Sequence, residues 1–246
     1  MKGTVIYDVK DGVAILTVDN PPVNPLSDGV RTGLFDSLIK AEEDSEVIGV
    51  VLTGNGRAFI AGADISEFGG NVEGVSLNEV FHKLEYCSKP VVAALNGIAL
   101  GGGLETALCC NYRLADKNAF VGLPEVNLGL LPGGGGTQRL PRLTGASEAL
   151  KMMLSGSHVP AKKALDMGII DKIVDNVVED SIKFIRHLDD TMKGLGFSEM
   201  DHPKVRDKNE KMLEARGDDK VLLEAQAMAA KGRKGQFAPG QIIKCV

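Results

Sequence analysis

Two glycine-containing segments are the first candidates for chemistry in this 246-residue chain. Residues 101–103 are three glycines, and they stand where a buried-strand pattern changes into a helical pattern. A helix N-terminus carries unpaired N–H groups and partial positive charge, and glycines leave those N–H groups uncovered. Residues 61–63 follow the preceding strand and could supply a second donor from the same sheet edge. Together the two segments predict a backbone-built pocket for a developing oxyanion.

Two glutamates accompany these segments. Glu105 lies just inside the helix that follows the glycines, and Glu125 follows Pro124 shortly after another short strand. Two carboxylates near one apolar pocket can divide the roles of general acid and general base. Each feature alone has a simpler explanation, since a glycine triplet can be a tight turn and a glutamate near a helix N-terminus can be solvated. Only their combination indicates a site.

Strands that alternate with helices must position these groups. A hairpin is predicted over residues 4–18, and a helix follows for which Ser27 would be the N-cap. The apolar runs 47–52 and 90–95 are typical of strands that are covered on both faces. Other helices are predicted over residues 77–87, 104–111, 137–143, 146–154 and 161–167, and other strands over residues 112–115, 119–121 and 169–174. Since the pattern after residue 178 is helical only, the sequence predicts an α/β fold with a helical C-terminal region.

Generic nucleotide and hydrolase motifs are missing from the sequence. A P-loop requires Gly-Lys followed by Ser or Thr, and the sequence contains no Gly-Lys pair. Gly54 and Gly56 begin a dinucleotide fingerprint, but Phe59 stands where the third glycine is needed. The G-x-S-x-G pattern of a nucleophile elbow is also missing. These motifs therefore give no support to a nucleotide cofactor or a serine hydrolase.

The bulk composition narrows the function further. A net charge of -5 and only 4% aromatic residues argue against a nucleic-acid partner. No apolar stretch approaches the length of a membrane-spanning helix, and residues 1–8 contain no apolar signal segment. The four cysteines lack C-x-x-C spacing and are expected to be buried free thiols, and the four scattered histidines predict no metal site. The sequence therefore predicts a protein that is not secreted, located in the cytoplasm or, in a eukaryote, in the peroxisome.

Three sequence segments together resemble the crotonase superfamily, and within it the enoyl-CoA hydratases. The resemblance spans about residues 4–174 and is strongest between residues 54 and 145. Its motifs are AFIAGADI at 58–65, KPVVAALNGIALGGGLE at 89–105 and PEVNLGLLPGGGGTQR at 124–139. It implies the crotonase (ClpP/crotonase-like) fold, which is a spiral of ββα turns rather than a doubly wound sheet.

The resemblance also implies roles for particular residues. An acyl-CoA thioester would place its carbonyl between the N–H groups of Ala63 and Gly102. Glu105 would help to activate a water for attack at Cβ, and Glu125 would deliver a proton to Cα. The presence of both glutamates favours hydratase activity, because many superfamily members lack one of them. Further contacts to the CoA or acyl group are implied for Ala61, Asp64, Ile65, Gly101, Pro132 and Gly133, and residues 133–136 would shape a loop that shields the acyl group.

A finer resemblance points to the N-terminal hydratase/isomerase part of multifunctional fatty-acid β-oxidation enzymes. It rests on NPPVNPLS at 20–27, GADISEF at 62–68 and NYRLA at 111–115. Residues 235–243 (GQFAPGQII) resemble that family's linker region, so we expect a crotonase core over residues 1–190 and a helical region with a truncated linker over residues 191–246. This chain would need no cofactor besides its CoA thioester substrate, and NAD would belong to a 3-hydroxyacyl-CoA dehydrogenase domain downstream.

Several alternatives remain open at this stage. The same site could act as a Δ3,Δ2-enoyl-CoA isomerase, or the chain could be a non-catalytic acyl-CoA-binding domain. Dehalogenation and ester hydrolysis are less favoured, because such sites usually replace one of the glutamates. A homo-oligomer is a further possible partner, and Lys231, Arg233 and Lys234 are candidates for contacts to the CoA phosphates.

Overall fold

Strands alternate with helices up to Val174, and the regular elements of the described residues after it are helices. A computed structural model describes residues 3–67, 74–195, 201–215, 217 and 219–246. The strands are β1 (Thr4–Lys10), β2 (Val13–Asp19), β3 (Gly49–Gly54), β4 (Ala58–Ile60), β5 (Val91–Leu95), β6 (Ile98–Leu100), β7 (Tyr112–Asp116), β8 (Phe120–Gly122), β9 (Val159–Pro160) and β10 (Lys172–Val174). The helices are α1 (Asp28–Glu43), α2 (Leu77–Glu85), α3 (Gly102–Cys109), α4 (Gly136–Thr144), α5 (Ala146–Ser155), α6 (Ala161–Asp166), α7 (Val177–Gly194), α8 (Glu210–Ala215), α9 (Asp219–Gly232) and α10 (Ala238–Cys245).

The strands form two sheets. The larger has the order β1-β2-β3-β5-β7-β10 and is parallel except for the β1–β2 hairpin. The smaller has the order β4-β6-β8-β9 and is parallel except for the pair β8–β9. Successive strand pairs place one strand in each sheet and are followed by a helix, as in β3-β4-α2 and β5-β6-α3. This repetition confirms the predicted spiral of strand–strand–helix turns.

The central strands are buried on both faces, as their continuous apolar sequences predict. Every residue of β3 and β5 is buried. On one face Leu52 belongs to a core cluster that includes Leu34 of α1, and on the other face Val51 belongs to a cluster that includes Ile185 of α7. The larger sheet is therefore covered on both faces, and the strands that precede the loops of the site, β4 and β6, follow β3 and β5 in the chain.

The predicted helix after Ser27 is present with Ser27 at its N-cap position, but the Ser27 side chain makes no capping hydrogen bond. The Ser27 hydroxyl accepts a hydrogen bond from Asn20 Nδ2 at 3.1 Å and makes no capping bond. The backbone N–H of Asp28 instead donates to Glu67 Oε1 at 2.8 Å. A carboxylate is the stronger acceptor at a helix N-terminus, and only the tertiary structure brings Glu67 there.

Some element boundaries differ from the predicted ones. Strands β4, β6 and β9 were not predicted, because segments of two or three residues carry too little periodicity. Helix α3 begins at Gly102 rather than at Leu104. Consequently residues 61–63 follow β4 of the smaller sheet, and the two glycine-containing segments meet at the edge of that sheet rather than of the larger one.

The C-terminal helices pack back onto the core. Helix α10 contacts α4, α5 and α9, its residue Ile242 is buried, and Gln138 Nε2 donates to the carbonyl of Cys245 at 2.6 Å. Residue 190 lies within α7, and the division into units 1–190 and 191–246 stays a prediction.

The four cysteine thiols differ in their exposure. All four cysteines are free, but Cys245 is exposed and Cys87 is half-buried, so the expectation of burial is correct only for Cys109 and Cys110. Among the described residues, no helix combines the length and apolar character that crossing a membrane requires. In the same part of the chain, no three His, Cys, Asp or Glu side chains are grouped closely enough to hold a metal ion.

Candidate active site

Gly101 turns the chain from β6 into α3. Its φ of 53° lies in the left-handed region that favours glycine, and its N–H donates to the carbonyl of Gly122 at 2.9 Å. Gly102 is then the first residue of α3, so its N–H has no acceptor within the helix. The sequence places a backbone donor here because only glycine makes this turn without strain.

A second backbone donor lies beside the first. Leu26 N donates to the carbonyl of Gly62 at 2.9 Å, which fixes the segment that contains Ala63. A methyl group added to Gly102 would lie 3.3 Å from the Ala63 nitrogen, so the two residues are adjacent. Within the described ranges, neither the Ala63 nor the Gly102 N–H donates a hydrogen bond to the protein. Two neighbouring donors are therefore available for one acceptor oxygen.

Glu105 is buried in the first turn of α3, and backbone groups stabilise its carboxylate. Oε1 accepts hydrogen bonds from Gly134 N and Gly136 N, both at 2.8 Å. Burial raises the pKa of Glu105, while these two bonds and the charge of Arg139 act in the opposite direction. The loop over residues 133–136, expected only to shield the acyl group, thus also orients Glu105.

Glu125 has a contrasting environment. It begins a 3-10 helix (Glu125–Leu128) after β8, and its buried Oε2 has no hydrogen-bond partner among the described residues. A methyl group added to Gly101 would lie 3.1 Å from Glu125 Oε1, which places this carboxyl beside the turn that precedes Gly102. Burial, followed by the negative charge of Glu105, raises the pKa of Glu125 to about 7. Glu125 can therefore hold a proton near neutral pH.

The other residues predicted to contact the CoA or acyl group differ in their burial and in their hydrogen bonds. Ala61 N donates to the carbonyl of Val23 at 3.0 Å, so its backbone is already used. Asp64 Oδ1 accepts from Ser66 N at 3.0 Å and starts the 3-10 helix Ile65–Glu67. Ile65 is 61% exposed and offers an apolar surface two residues after Ala63. Pro132 is buried beside Gly136, and Gly133 is exposed.

Sequence reasoning missed several residues that support these groups. Arg31 is buried and donates to the carbonyl of Leu26 at 2.9 Å, and Leu26 in turn holds Gly62. Asn24 has a left-handed φ of 56°, and its Nδ2 donates to the carbonyls of Asn55 and Ala58. Arg139 lies within the motif at 124–139, but the sequence indicates no role for it. For Arg31 the available signal was a basic residue within the apolar helical pattern of Val30 and Leu34.

Comparisons with known proteins agree with this arrangement. The family described as Enoyl-CoA hydratase/isomerase matches residues 8–235. A peroxisomal bifunctional enzyme of Danio rerio is 47% identical over 177 residues, which cover 72% of this chain and 25% of that protein. A probable enoyl-CoA hydratase of Bacillus subtilis is 45% identical over 165 residues, which cover 64% of each chain. The chain therefore spans only about a quarter of the length of the bifunctional relative.

A solved structure extends the likeness to the fold. The enoyl-CoA hydratase from Bacillus anthracis is 27% identical, has a TM-score of 0.71, and is matched over 96% of this chain and 99% of its own. The family match and the likeness of fold thus both extend over nearly the whole chain, and the family match includes the segments that carry the two glutamates. The chain has the crotonase fold and belongs to the enoyl-CoA hydratase/isomerase family.

Proposed function

We propose that this chain is an enoyl-CoA hydratase that adds water syn to a trans-2-enoyl-CoA and forms a 3-hydroxyacyl-CoA in fatty-acid β-oxidation. One observation carries the proposal: two carboxyl groups of opposite character stand at one site. Glu105 accepts two backbone hydrogen bonds, whereas Glu125 keeps a buried oxygen without a partner in the described part of the chain. Hydration needs both a base and an acid, and this pair supplies them.

The thioester carbonyl would accept hydrogen bonds from the N–H groups of Ala63 and Gly102. Negative charge develops on this oxygen when a nucleophile adds at Cβ, and fixed donors stabilise it more strongly in the transition state than in the ground state. Removing one donor of this kind typically costs about 3 to 4 kcal/mol of transition-state stabilisation. The exposed Ile65 and the neighbouring Ala61 and Asp64 would line the path of the CoA.

The two glutamates would then divide the proton transfers. Glu105 as the carboxylate takes a proton from the water while the water oxygen bonds to Cβ. The electrons of the double bond move towards the thioester oxygen, and as they return Glu125 as the acid gives its proton to Cα. Burial raises the pKa of both glutamates, but at Glu105 two backbone donors and the charge of Arg139 act against this effect, whereas Glu125 Oε2 has no partner among the described residues.

The basic residues near residue 233 are not equivalent as candidates for the CoA phosphates. Arg233 Nη2 donates to Asn127 Oδ1 and to the carbonyl of Ser155, so its guanidinium is engaged within the chain. Lys231 and Lys234 are exposed. We therefore favour the two lysines over Arg233 for phosphate contacts.

A second candidate activity is Δ3,Δ2-enoyl-CoA isomerisation at the same site. It needs one group that moves a proton between two carbons, and Glu125 fits because its pKa of about 7 lets it take and release a proton at neutral pH. We favour hydratase activity over isomerase activity, because isomerisation does not require a second carboxylate, and Glu105 is held in place by two backbone hydrogen bonds.

The parent protein and its location are also matters of proposal. The match to only 25% of a relative named as bifunctional supports a longer parent protein. We propose that a dehydrogenase domain, to which NAD would belong, follows this part, and that this part itself needs no cofactor. The peroxisomal name of that relative and the free cysteines favour the peroxisome or the cytoplasm. A homo-oligomer is a further possibility for this family member.

Mixing the chain with crotonyl-CoA tests the proposal. We expect the absorbance of the conjugated enoyl group to fall and a product heavier by one water to form. Substrate binding without turnover at saturating crotonyl-CoA would show an acyl-CoA-binding domain instead. Isomerase activity is tested with a 3-enoyl-CoA as the substrate. Accumulation of the conjugated 2-enoyl-CoA would show that the chain is an isomerase.

A further inference from the structure

The loop that holds Glu105 is itself held by Arg139. Arg139 Nη1 donates to the carbonyl of Gly134 at 2.9 Å, and the N–H of the same glycine donates to Glu105 Oε1 at 2.8 Å. Gly134 thus carries a hydrogen bond on each side of its peptide backbone. A displacement of the Arg139 guanidinium would therefore displace a donor to the Glu105 carboxylate.

The path of the loop is shaped to receive this guanidinium. Gly135 has a φ of 90°, which favours glycine, and a Cβ at this position would lie 2.2 Å from Arg139 Nη1. A Cβ on Gly134 would lie 2.2 Å from Phe81 Cε2 and 2.7 Å from Glu105 Oε2. The two glycines therefore let the loop lie between Arg139 on one side and Glu105 on the other.

A buried carboxylate fixes the orientation of Arg139. Glu85, at the end of α2, accepts from Arg139 Nε at 2.9 Å and from Nη2 at 3.0 Å, which is a bidentate pair. Glu85 Oε2 also accepts from Arg206 Nη1 at 3.2 Å, and Arg206 donates to the Tyr86 hydroxyl. The guanidinium thus donates from Nε and Nη2 to Glu85 and from Nη1 to Gly134.

We propose that Arg139 is a positioning residue, which acts through Gly134 to set the orientation and the charge state of Glu105 and is itself oriented by Glu85. Its kinetic consequence rests on the proposed hydratase activity. Arg139 does not touch the reacting atoms, so its loss should lower kcat and leave substrate binding largely intact. A lysine cannot replace it, because an ammonium lacks the fork that spans Glu85 and Gly134.

The positive charge of Arg139 also favours the carboxylate form of Glu105. In the part of the chain that the structure describes, the ionisable groups that interact electrostatically with Glu105 are Arg139, Glu125 and the Cys109 thiol, and Arg139 is the cation among them. Its charge lowers the pKa of Glu105 against the effect of burial. Without Arg139 the carboxyl should keep its proton to a higher pH.

Two variants test the proposal without leaving Glu85 as an unpaired buried charge. Arg139→Lys keeps the charge but removes the fork, and the double variant Arg139→Met with Glu85→Gln removes the whole pair. The exposed Lys162, which pairs with Asp166, provides the control Lys162→Met. We expect kcat for crotonyl-CoA to fall about 10- to 100-fold in both Arg139 variants with KM within about twofold, and no change in the control.

Two measurements need no turnover, so they also decide the proposal if the chain is not a hydratase. The backbone ¹H–¹⁵N resonances of Gly134 and Gly136 should shift in both Arg139 variants. The ¹³C-carboxyl resonance of Glu105, assigned with Glu105→Gln, should titrate at a higher pH in the double variant. Unchanged glycine resonances and an unchanged Glu105 titration would overturn the proposal, whereas an inactive wild-type chain with these shifts would overturn only the hydratase assignment.

Discussion

The negative charge of Glu105 adds to the burial of Glu125 in raising the pKa of the Glu125 carboxyl to about 7. Glu105 is held by the loop of residues 133–136, and Glu125 lies against Gly101, which precedes the donor Gly102. Ionisation of one opposes ionisation of the other, so a charged Glu105 favours the form of the pair in which Glu125 keeps its proton. This is the form that hydration requires.

The pH dependence of hydration should reflect this form. We expect kcat for crotonyl-CoA to fall as the pH rises through about 7, because the doubly ionised pair has no proton to deliver to Cα. It should also fall on the acid side, when Glu105 is protonated and can no longer take a proton from water. Initial rates between pH 5 and pH 9 at saturating substrate measure both limbs. A rate that keeps rising to pH 9 would contradict the role of Glu125 as the acid.

Glu105→Gln should separate hydration from isomerisation. We expect hydration to fall by about 10²- to 10⁴-fold, since the water loses its base, while isomerisation of a 3-enoyl-CoA falls less. Parallel assays with crotonyl-CoA and a 3-enoyl-CoA measure the ratio. Glu125→Gln is the matched variant and should reduce both activities. Equal losses in the Glu105 variant would argue against the division of roles.

Gly102→Ala tests the donor pair. The new methyl group would lie 3.2 Å from Leu26 Cδ1 and 3.3 Å from Ala63 N, so it would enter the space that the thioester oxygen needs. We expect kcat/KM for crotonyl-CoA to fall about 10²- to 10³-fold, the range seen when one oxyanion donor is lost. The control is Gly194→Ala in α7, where a methyl group meets nothing within 4 Å. Similar activities of the two variants would contradict the placement of the carbonyl.

Glu125 should also make stability depend on pH. Its folded-state pKa of about 7 lies above the ordinary value of 4.5, so the folded protein binds this proton more tightly than the unfolded chain. The resulting stabilisation is complete below about pH 4.5 and is lost as the pH rises through 7. Relative to Glu125→Gln, the wild-type free energy of unfolding should therefore decrease by up to about 3 kcal/mol between pH 5 and pH 8.5. Urea unfolding of both proteins at each pH measures this change, and parallel pH curves would refute it.

The sequence predicted the elements whose signal is local. Apolar runs identified β3 and β5, because strands buried on both faces contain few polar residues. The strands β4, β6 and β9 were not predicted, since two or three residues are too few to show the alternation of side chains along a strand. The N-terminus of α1 also could not be predicted in full from local sequence. Glu67, which accepts a hydrogen bond from the Asp28 N–H, lies 39 residues further along the chain.

The site divides in the same way between sequence and structure. The sequence alone determined that two glutamates lie close to glycine turns at the ends of helices and strands. It could do so because both the tolerance of glycine for a left-handed φ and the position of a glutamate near it in the chain are local properties. Only the tertiary structure decided how Glu105 differs from Glu125. That difference depends on donors from Gly134 and Gly136, on Arg139 behind them and on the burial of Glu125 Oε2, and each of these is a contact between segments that are distant in the chain.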